Sequence, residues 1–268
     1  MNKKQVTSVQ NTIIKKVKDL QKKKSVRKSE GLFVIEGIRG VKEIPSHIKL
    51  KYLITTKEIG EKELGEVKVE EWIEVSKEIY KSISDTQSPQ GAMAVAYMPT
   101  YDLVDFNIDL GHYLVLENLQ DPGNLGTIIR TAHAFNFKGV FITKGSVDLY
   151  SPKVVRSTMS SLFHVPIIID EEVDTYMNFL KQKGVTLYTT ALIPGAKPIY
   201  DVTFEKKAAI IIGNEGNGVS EYVKEASDHT VIIPMPGEAE SLNAAIATSI
   251  CMYEITRQCQ NGLLLKKS

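Results

Sequence analysis

The feature that most constrains the fold is a regular alternation of apolar runs and helix-compatible segments from His112 onward. Runs such as HYLVLENL, GVFIT and VPIIID alternate with helical patterns such as NLGTIIRTAHAFNF and SPKVVRSTMSSLF. Continuous apolar strands that alternate with helices predict a parallel sheet covered on both faces. Ligands of such sheets bind beyond the carboxyl ends of the strands. We therefore expect functional residues in the loops that follow the strands.

Residues 1–98 show a different pattern of apolar and charged segments. FVIEG, YLITT, WIEVS and GAMAVAYM are short apolar stretches separated by charged segments, which predicts a small α/β unit. The polar connector 99–111 begins at a proline and has no sustained apolar period. We therefore predict a domain over residues 1–98, a linker over 99–111 and a second domain over 112–268.

The net charge of +1 conceals a strongly basic start. Residues 1–29 carry ten basic side chains against one aspartate, so this arm has a balance of +9 and the remainder −8. Val9, Ile13, Val17 and Leu20 recur at helical spacing, which predicts a helix that packs one stripe and leaves its lysines solvated. The lysines could bind a polyanion or only solvate a helix face, and the charge run alone does not decide.

Several classes of protein are excluded or disfavoured. The chain has no apolar run of ~18 residues, and its lysine-rich start lacks the hydrophobic segment of a signal peptide, so we expect a cytoplasmic protein. The two cysteines and five histidines lack the spacing of metal ligands, so we expect no metal.

The first unusual loop is DPGNLGTIIR, residues 121–130. Asn124 could cap the helix that follows the turn, by accepting a backbone N–H. Arg130 lies two turns further on among apolar residues, where a guanidinium needs an anionic partner. That partner could be a carboxylate in a structural ion pair or a phosphate in a functional site, and both alternatives stay open.

The second loop is IIIGNEGNGVS, residues 210–220, in which an apolar strand runs into three glycines around Glu215. The spacing of Gly213, Gly216 and Gly218 is not the dinucleotide fingerprint, whose glycines follow the first strand of a βαβ unit. The loop could hold a ligand against its backbone or be an ordinary tight turn.

The third segment, residues 231–258, leaves a strand at a proline and enters a helix near Ser241. Ser241 and Asn243 flank the expected start of that helix. Its small residues give it a thin face, suited to close packing against another helix or a second subunit, and these residues are Ala244, Ala245, Ala247, Thr248 and Ser249.

In this order and spacing, the three segments resemble the signature motifs of the SpoU (TrmH-like) family of RNA ribose 2′-O-methyltransferases, in the SPOUT superfamily. The resemblance covers essentially the whole chain. Within the family, the chain is similar to members that modify ribosomal RNA, including thiostrepton-resistance enzymes. It implies a parallel sheet with a deep trefoil knot, which the usual topology rules would not suggest. It also implies that residues 1–98, with FVIEGIRGVKEI, form a ribosomal-protein-like RNA-binding domain.

The resemblance implies roles for particular residues. Those expected on the reactive face are Asn124, Arg130, Glu215, Ser241 and Asn243. Those expected around S-adenosylmethionine (AdoMet) are Leu192, Gly213, Ile233 and Leu242. Arg39 and Arg156 are expected to contact RNA, and a homodimer is expected. Ser160 departs from the family pattern, in which glycine is common at this position.

The implied reaction transfers a methyl group to a ribose hydroxyl, which must be aligned and must lose its proton. Arginine is not deprotonated at neutral pH, so we expect Arg130 to grip a phosphate and stabilise the developing alkoxide, with Asn124 holding Arg130 or the ribose. The alternative is a noncatalytic RNA-binding or ribosome-assembly protein on the same fold, against which the intact set of site residues argues. A dehydrogenase is disfavoured by the missing fingerprint.

Overall fold

A computed structural model describes residues 3–259 of the chain. The chain forms two compact units. The N-terminal unit comprises Met1–Thr100 and Asp148–Phe163, and the C-terminal unit comprises Tyr101–Val147 and His164–Ser268. The short segment 148–163, which we placed in the second domain from its sequence, therefore packs with the first.

The strands are β1 (Lys3–Val6), β2 (Leu32–Glu36), β3 (Leu50–Thr56), β4 (Glu71–Val75), β5 (Ala92–Tyr97), β6 (Gly111–Leu116), β7 (Gly139–Thr143), β8 (Ile167–Glu171), β9 (Thr186–Thr190), β10 (Lys197–Pro198), β11 (Lys207–Ile212) and β12 (His229–Ile232). The α-helices are α1 (Thr12–Lys22), α2 (Lys24–Glu30), α3 (Ile38–Lys42), α4 (Glu61–Leu64), α5 (Lys77–Ile83), α6 (Pro122–Ala134), α7 (Pro152–Ser157), α8 (Val173–Gln182), α9 (Glu221–Ala226) and α10 (Ala244–Cys259). Short 3₁₀ turns cover Ser161–Phe163 and Ile199–Asp201.

The N-terminal unit is built on a mixed sheet in the order β1-β4-β3-β5-β2. The four apolar stretches of the sequence form β2, β3, β4 and β5, as predicted. β1 was not predicted, because KKQV looks like part of a solvated basic run; it pairs in parallel with β4. Its backbone hydrogen bonds to the sheet edge outweigh its polar composition.

The predicted amphipathic helix is α1, and its apolar side packs into the core of the N-terminal unit. Ile13, Ile14, Val17 and Leu20 are buried, and Asn11 caps the helix by accepting from the backbone N–H of Ile13. The prediction for Val9 was wrong, since this residue precedes the helix and is 46% exposed. The basic arm is thus an integral part of the fold rather than an appendage.

A buried ion pair fixes segment 148–163 to the N-terminal unit. Arg27 is 5% exposed, and its Nε donates to Oδ2 of Asp148 at 2.8 Å while Nη2 contacts the same oxygen. Nη1 donates to backbone carbonyls, including that of Gln21 at 3.2 Å. Arg27, one of the ten basic side chains counted in the arm, is therefore not available to a polyanion.

The C-terminal unit contains a wholly parallel sheet in the order β10-β12-β9-β11-β6-β7-β8. Tyr113 and Val115 of β6 pack with Tyr176 and Leu180 of α8 on one face. The alternate residues of β6 face the other side, where α6 and α10 pack together. The predicted α/β class, with a parallel sheet after a smaller α/β unit, is confirmed. The trefoil knot stays a prediction.

Within residues 3–259, no helix is both long and apolar enough to cross a bilayer. The predicted helix SPKVVRSTMSSLF is interrupted, because α7 ends at Ser157 and the backbone at Met159 and Ser160 takes positive φ values of 47° and 67°. Non-glycine residues rarely adopt this conformation. The glycine expected at position 160 from the family pattern would fit it without strain.

Candidate active site

A chain of hydrogen bonds joins the three loops that the sequence singled out. Asn124 Nδ2 donates to Glu215 Oε1 at 3.0 Å, and Asn243 Nδ2 donates to Asn124 Oδ1 at 2.9 Å. The Glu215 carboxylate also accepts from the backbone N–H groups of Gln120 at 3.1 Å and Asp121 at 3.0 Å. Residues from the loops after β6, β11 and β12 therefore meet in one polar cluster of the C-terminal unit.

The helix termini place these side chains. Asp121 caps α6 by accepting from the N–H of Asn124 at 2.7 Å, so the interpretation of Asn124 as the cap was wrong. Asn124 lies inside the helix, 8% exposed, with its amide free to reach the other loops. Asn243 precedes α10, and its Oδ1 accepts from the N–H groups of Ala245 and Ile246. The side-chain amide of Asn243 thus accepts hydrogen bonds from the first backbone N–H groups of α10 and also orients Asn124.

The electrostatics of Glu215 follow from these contacts. Partial burial opposes ionisation, but the hydrogen bonds from the Asn124 side chain and from backbone N–H groups outweigh it, so the pKa of Glu215 lies below its ordinary value. The carboxylate is therefore ionised at neutral pH and engaged by several donors. This arrangement makes Glu215 a fixed anchor for the loops.

The loop with three glycines, residues 213–218, is a tight turn whose own backbone leaves no room for a side chain at Gly213. A Cβ on Gly213 would lie 2.1 Å from the carbonyl carbon of Gly218, so only glycine fits. Asn214 closes the turn, because its backbone pairs with Gly218 and its Oδ1 accepts from the N–H groups of Gly216 and Asn217. Of the two alternatives for this loop, an ordinary tight turn is enough to explain Gly213. Glu215 lies within this turn.

Arg130 lies on the solvent side of α6. It is exposed, and among residues 3–259 its side chain makes no ion pair or hydrogen bond. The structural ion pair that we left open is therefore not formed within the described part of the chain. Asn124 does not hold Arg130, since its amide is engaged by Glu215 and Asn243. A guanidinium without a partner among these residues is suited to an external anion.

The residues expected around AdoMet follow neighbouring strands. Leu192, Gly213 and Ile233 come just after β9, β11 and β12, which are consecutive in the parallel sheet, so they share its carboxyl edge. Leu192 is 74% exposed, so its apolar side chain is accessible to a ligand. Leu242 and Ser241 precede α10, half-buried and exposed respectively. Apolar side chains among loop backbone groups fit an adenosine moiety.

The two residues expected to contact RNA lie together in the N-terminal unit. Arg39 is exposed and pairs with Glu43 at 2.8 Å, and Arg156 pairs with Asp85 at 2.7 Å. Both line one cavity of about 230 Å³. The sequence places them more than a hundred positions apart, so this proximity is a product of the fold.

Sequence reasoning missed several polar residues that shape the site. Asn214 and Asn118 brace the loops, with Asn214 Nδ2 donating to the carbonyl of Asn118 at 2.9 Å. Asn118 has a positive φ of 55° and Gln120 contributes a backbone donor to Glu215. Asparagines in glycine-rich turns often bond to nearby backbone, and this signal in GNEGNG could have identified Asn214.

Comparison with known proteins identifies the family. The profile of the SpoU rRNA Methylase family matches residues 111–253, and that of the MRM3-like substrate binding domain matches residues 11–94. The chain belongs to the SpoU rRNA Methylase family. The resemblance inferred from the three motifs is confirmed.

Similar proteins of this family include enzymes with named RNA targets. The chain is 35% identical to the 23S rRNA (guanosine(2553)-2′-O)-methyltransferase RlmP of Bacillus subtilis, over 94% of this chain and 99% of that relative. It is 33% identical to the 23S rRNA (uridine(2479)-2′-O)-methyltransferase of Streptomyces viridochromogenes, over 66% of this chain and 63% of that relative.

Solved structures share the whole architecture. The AdoMet-bound rRNA methyltransferase from Sinorhizobium meliloti aligns with a TM-score of 0.86 and 29% identity, covering 95% of this chain and 97% of that one. The SpoU methyltransferase AviRb from Streptomyces viridochromogenes, in complex with AdoMet, also aligns with a TM-score of 0.86, at 27% identity, covering 95% and 100%. Over residues 3–259, no three histidine, cysteine or acidic side chains are grouped to hold a metal.

Proposed function

We propose that this SpoU family member transfers a methyl group from AdoMet to a ribose 2′-hydroxyl of ribosomal RNA. The observation that carries the proposal is the hydrogen-bonded cluster of Glu215, Asn124 and Asn243, which ties three motif loops together at the carboxyl edge of a parallel sheet. The cluster holds the buried Asn124 amide and the Glu215 carboxylate in fixed positions, as an active site that must align two reactants requires. The rRNA targets named for the two similar enzymes support ribosomal RNA as the substrate.

In this proposal the residues after β9, β11 and β12 hold the methyl donor, which supplies an electrophilic methyl group on a sulfonium. Leu192, Ile233 and Leu242 contribute apolar surface, and the turn at Gly213 contributes backbone groups. Ser241, which is exposed and lies two residues before Asn243, supplies in this proposal a hydroxyl that hydrogen-bonds the donor or the acceptor ribose.

Arg130 acts on the acceptor side. A guanidinium without an internal partner can grip a phosphate beside the target ribose and stabilise the negative charge that develops on the attacking oxygen. Glu215, Asn124 and Asn243 act as positioning residues, since each is engaged with another loop. Arg39 and Arg156 of the N-terminal unit contact the RNA.

Two measurements test the assignment. Calorimetry with AdoMet should show binding to the wild-type protein, and maps of 2′-O-methylation in total RNA should lose one site in cells that lack this gene. Unchanged maps together with absent AdoMet binding would support the noncatalytic alternative.

The variant Arg130→Lys separates binding from transfer. It keeps a positive charge but loses the planar fork, so AdoMet affinity should stay nearly unchanged while transfer of a labelled methyl group to RNA falls by ~10-fold or more. Loss of AdoMet binding instead would place Arg130 in the cofactor site and contradict its role toward RNA.

A homodimer is also part of the proposal, and its support lies on α10. The small residues of α10 face inward, with Ala244, Ala245 and Thr248 buried, so they serve packing within the chain. Ile246, Ile250 and Tyr253 form a stripe at helical spacing, 52%, 37% and 57% exposed. This stripe, which sequence reasoning did not single out, is the surface that a second copy would cover.

Light scattering after size exclusion tests the dimer. Tyr253→Asp should yield monomers, because it places a charge in the stripe. Tyr222→Asp is the matched control, since Tyr222 is 42% exposed on α9 and lies outside the stripe. A wild-type monomer, or equal effects of both variants, would contradict the assignment.

Since rRNA is a cytoplasmic substrate in bacteria, we infer that the protein acts in the cytoplasm.

A further inference from the structure

The cavity of about 230 Å³ in the N-terminal unit has the features of a binding site. Its floor is apolar and comes from β2, α7 and the 3₁₀ turn that follows, with the residues Ile35, Val155, Leu162 and Phe163. Its rim is polar and carries Glu36, Arg39, Glu43, Gln90 and Arg156. Pockets that enclose drug-sized ligands measure about 300–1,000 Å³, so this cavity suits a single flat ring system.

The carboxylates at the rim are already engaged. Glu36 accepts from the backbone N–H of Asp85 at 3.0 Å and from the Thr86 hydroxyl at 3.1 Å, as well as from Ser84. Glu43 pairs with Arg39 at 2.8 Å. These acidic groups balance the arginines, so the cavity is not a phosphate site.

Donors, in contrast, remain available at the rim. Gln90 Oε1 is fixed by the N–H of Ile38 at 2.9 Å, and its Nε2 donates to no acceptor within residues 3–259. Nη1 of Arg156 is buried beside the Asp85 carboxylate at 2.7 Å, but the Arg156 side chain as a whole is 34% exposed, so the rest of its guanidinium can reach a ligand. A neutral ring that presents acceptors would bind the Gln90 amide and this exposed part of Arg156.

Two residues that line the cavity have a strained backbone. Met159 and Ser160 both line the cavity with positive φ, and Met159 is 43% exposed. Adjacent non-glycine residues in this conformation cost free energy, and such strain concentrates at binding sites. The packing of α7 against β2 maintains this strained backbone at the edge of the cavity.

We propose that this cavity binds an unpaired guanine base of the substrate RNA. Guanine alone among the bases presents two acceptors side by side, N7 and O6, on its Hoogsteen edge, which matches the donors of Arg39, Arg156 and Gln90. Sequence-specific RNA recognition relies on unpaired bases that stack on side chains and are hydrogen-bonded at an edge. The inference rests on the proposed function, but the site serves recognition, because none of the residues proposed for methyl transfer lines it.

Fluorescence anisotropy with labelled nonanucleotides tests this site. The probes are r(UUUUGUUUU) and its counterparts with A, C or U at the centre. The wild-type protein should bind the guanine probe about fivefold or more tightly than the others, the discrimination typical of one bidentate contact. Equal affinity for the four probes would overturn the proposal.

Two variants locate the preference. Arg39→Gln removes a rim donor and should reduce the guanine preference to less than twofold. Lys77→Gln is the control, because Lys77 pairs with Glu58 at 2.8 Å, is similarly exposed, lies in the same unit and does not line the cavity. It should weaken all four probes equally and keep the preference. If both variants act alike, the effect is one of overall charge and the proposal is wrong.

Two further arms identify the source of the guanine and the place of contact. With 6-thioguanosine at the centre of the probe, photocrosslinks should map to residues 154–163; crosslinks confined to other segments would contradict the site. Free guanosine 5′-monophosphate should compete only at concentrations far above that of the probe. Competition at equal concentrations would assign the cavity to a free nucleotide instead.

Calorimetry with AdoMet on the same preparations keeps the two proposals apart. A guanine preference without AdoMet binding would retain this site and reject the methyltransferase function. AdoMet binding without base preference would do the reverse.

Discussion

The substitution Asn124→Asp exchanges one atom at the centre of the polar cluster. It replaces the Nδ2 donor that lies 3.0 Å from Glu215 Oε1 with a carboxylate oxygen, while Oδ1 can still accept from Asn243. The side chain keeps its size, so packing around this buried position on α6 is unchanged. The variant therefore isolates the electrostatic contribution of a single contact.

The expected cost has two parts. A hydrogen bond to a charged group contributes about 1.5–3 kcal/mol, and the exposure of Glu215 places this one at the lower end. Two like charges 3.0 Å apart add about 1.4 kcal/mol of repulsion at the dielectric constant of water. Allowing for side-chain relaxation, we expect the free energy of unfolding to fall by about 2 kcal/mol at pH 7.5.

The dependence on pH carries a definite sign. In the wild-type protein the pKa of Glu215 is lowered, so its contribution to stability is present above the unfolded pKa and is lost as the pH falls through the folded pKa. In Asn124→Asp the two carboxylates share a site, which raises the pKa of one of them. The destabilisation should therefore shrink as the pH is lowered from 7.5 toward 5.

Urea unfolding at a series of pH values measures this difference, with AdoMet calorimetry as a second readout. Asn107→Asp is the control, because Asn107 donates to Asp109 at 2.8 Å in an exposed position of the same unit. It should cost less than about 0.5 kcal/mol, since exposed contacts between charged groups contribute little. An equal cost of both variants, or a gap that widens as the pH falls, would refute the reasoning.

Three further predictions concern the N-terminal unit. Arg27→Met should lower the free energy of unfolding by about 3 kcal/mol, because it leaves Asp148, whose side chain is only 14% exposed, without its partner, and Asp148→Asn in the same chain should recover part of this loss in urea unfolding. Ser160→Gly should raise it by about 0.5 kcal/mol by relieving a positive φ, and an unchanged or lower melting temperature would contradict this. Replacing three exposed lysines of α1 by glutamine should reduce the salt dependence of RNA binding by about 0.7–0.9 in slope per lysine, and an unchanged slope would leave the arm a role in solubility alone. These lysines are Lys15, Lys18 and Lys22.

Substitution of exposed lysines on α1 tests their charge more directly than deletion of residues 1–29 would. Deleting the basic arm would remove Ile14, Val17 and Leu20 from the core of the N-terminal unit as well as its charge. RNA binding would then be lost through unfolding, whatever the lysines contact. Substitution at exposed positions keeps the helix and tests the charge.

The sequence by itself determined the fold class and the family. Apolar runs such as GVFIT and VPIIID must be buried on both faces, and this requirement depends on each run alone. The alternation of such runs with helical segments was therefore enough to predict the parallel sheet. The three loops could likewise be found, because glycine, proline and asparagine after a strand signal their conformations directly.

The tertiary structure decided which of these residues meet. It placed Glu215 against Asn124, made Asp121 the helix cap, buried Arg27 beside Asp148 and left Arg130 exposed. Such pairings depend on the order of strands in the sheet and on the packing of distant segments, which no local pattern encodes. A hydrogen bond or an ion pair forms over about 3 Å, and only the folded chain brings groups that are dozens of residues apart within that distance.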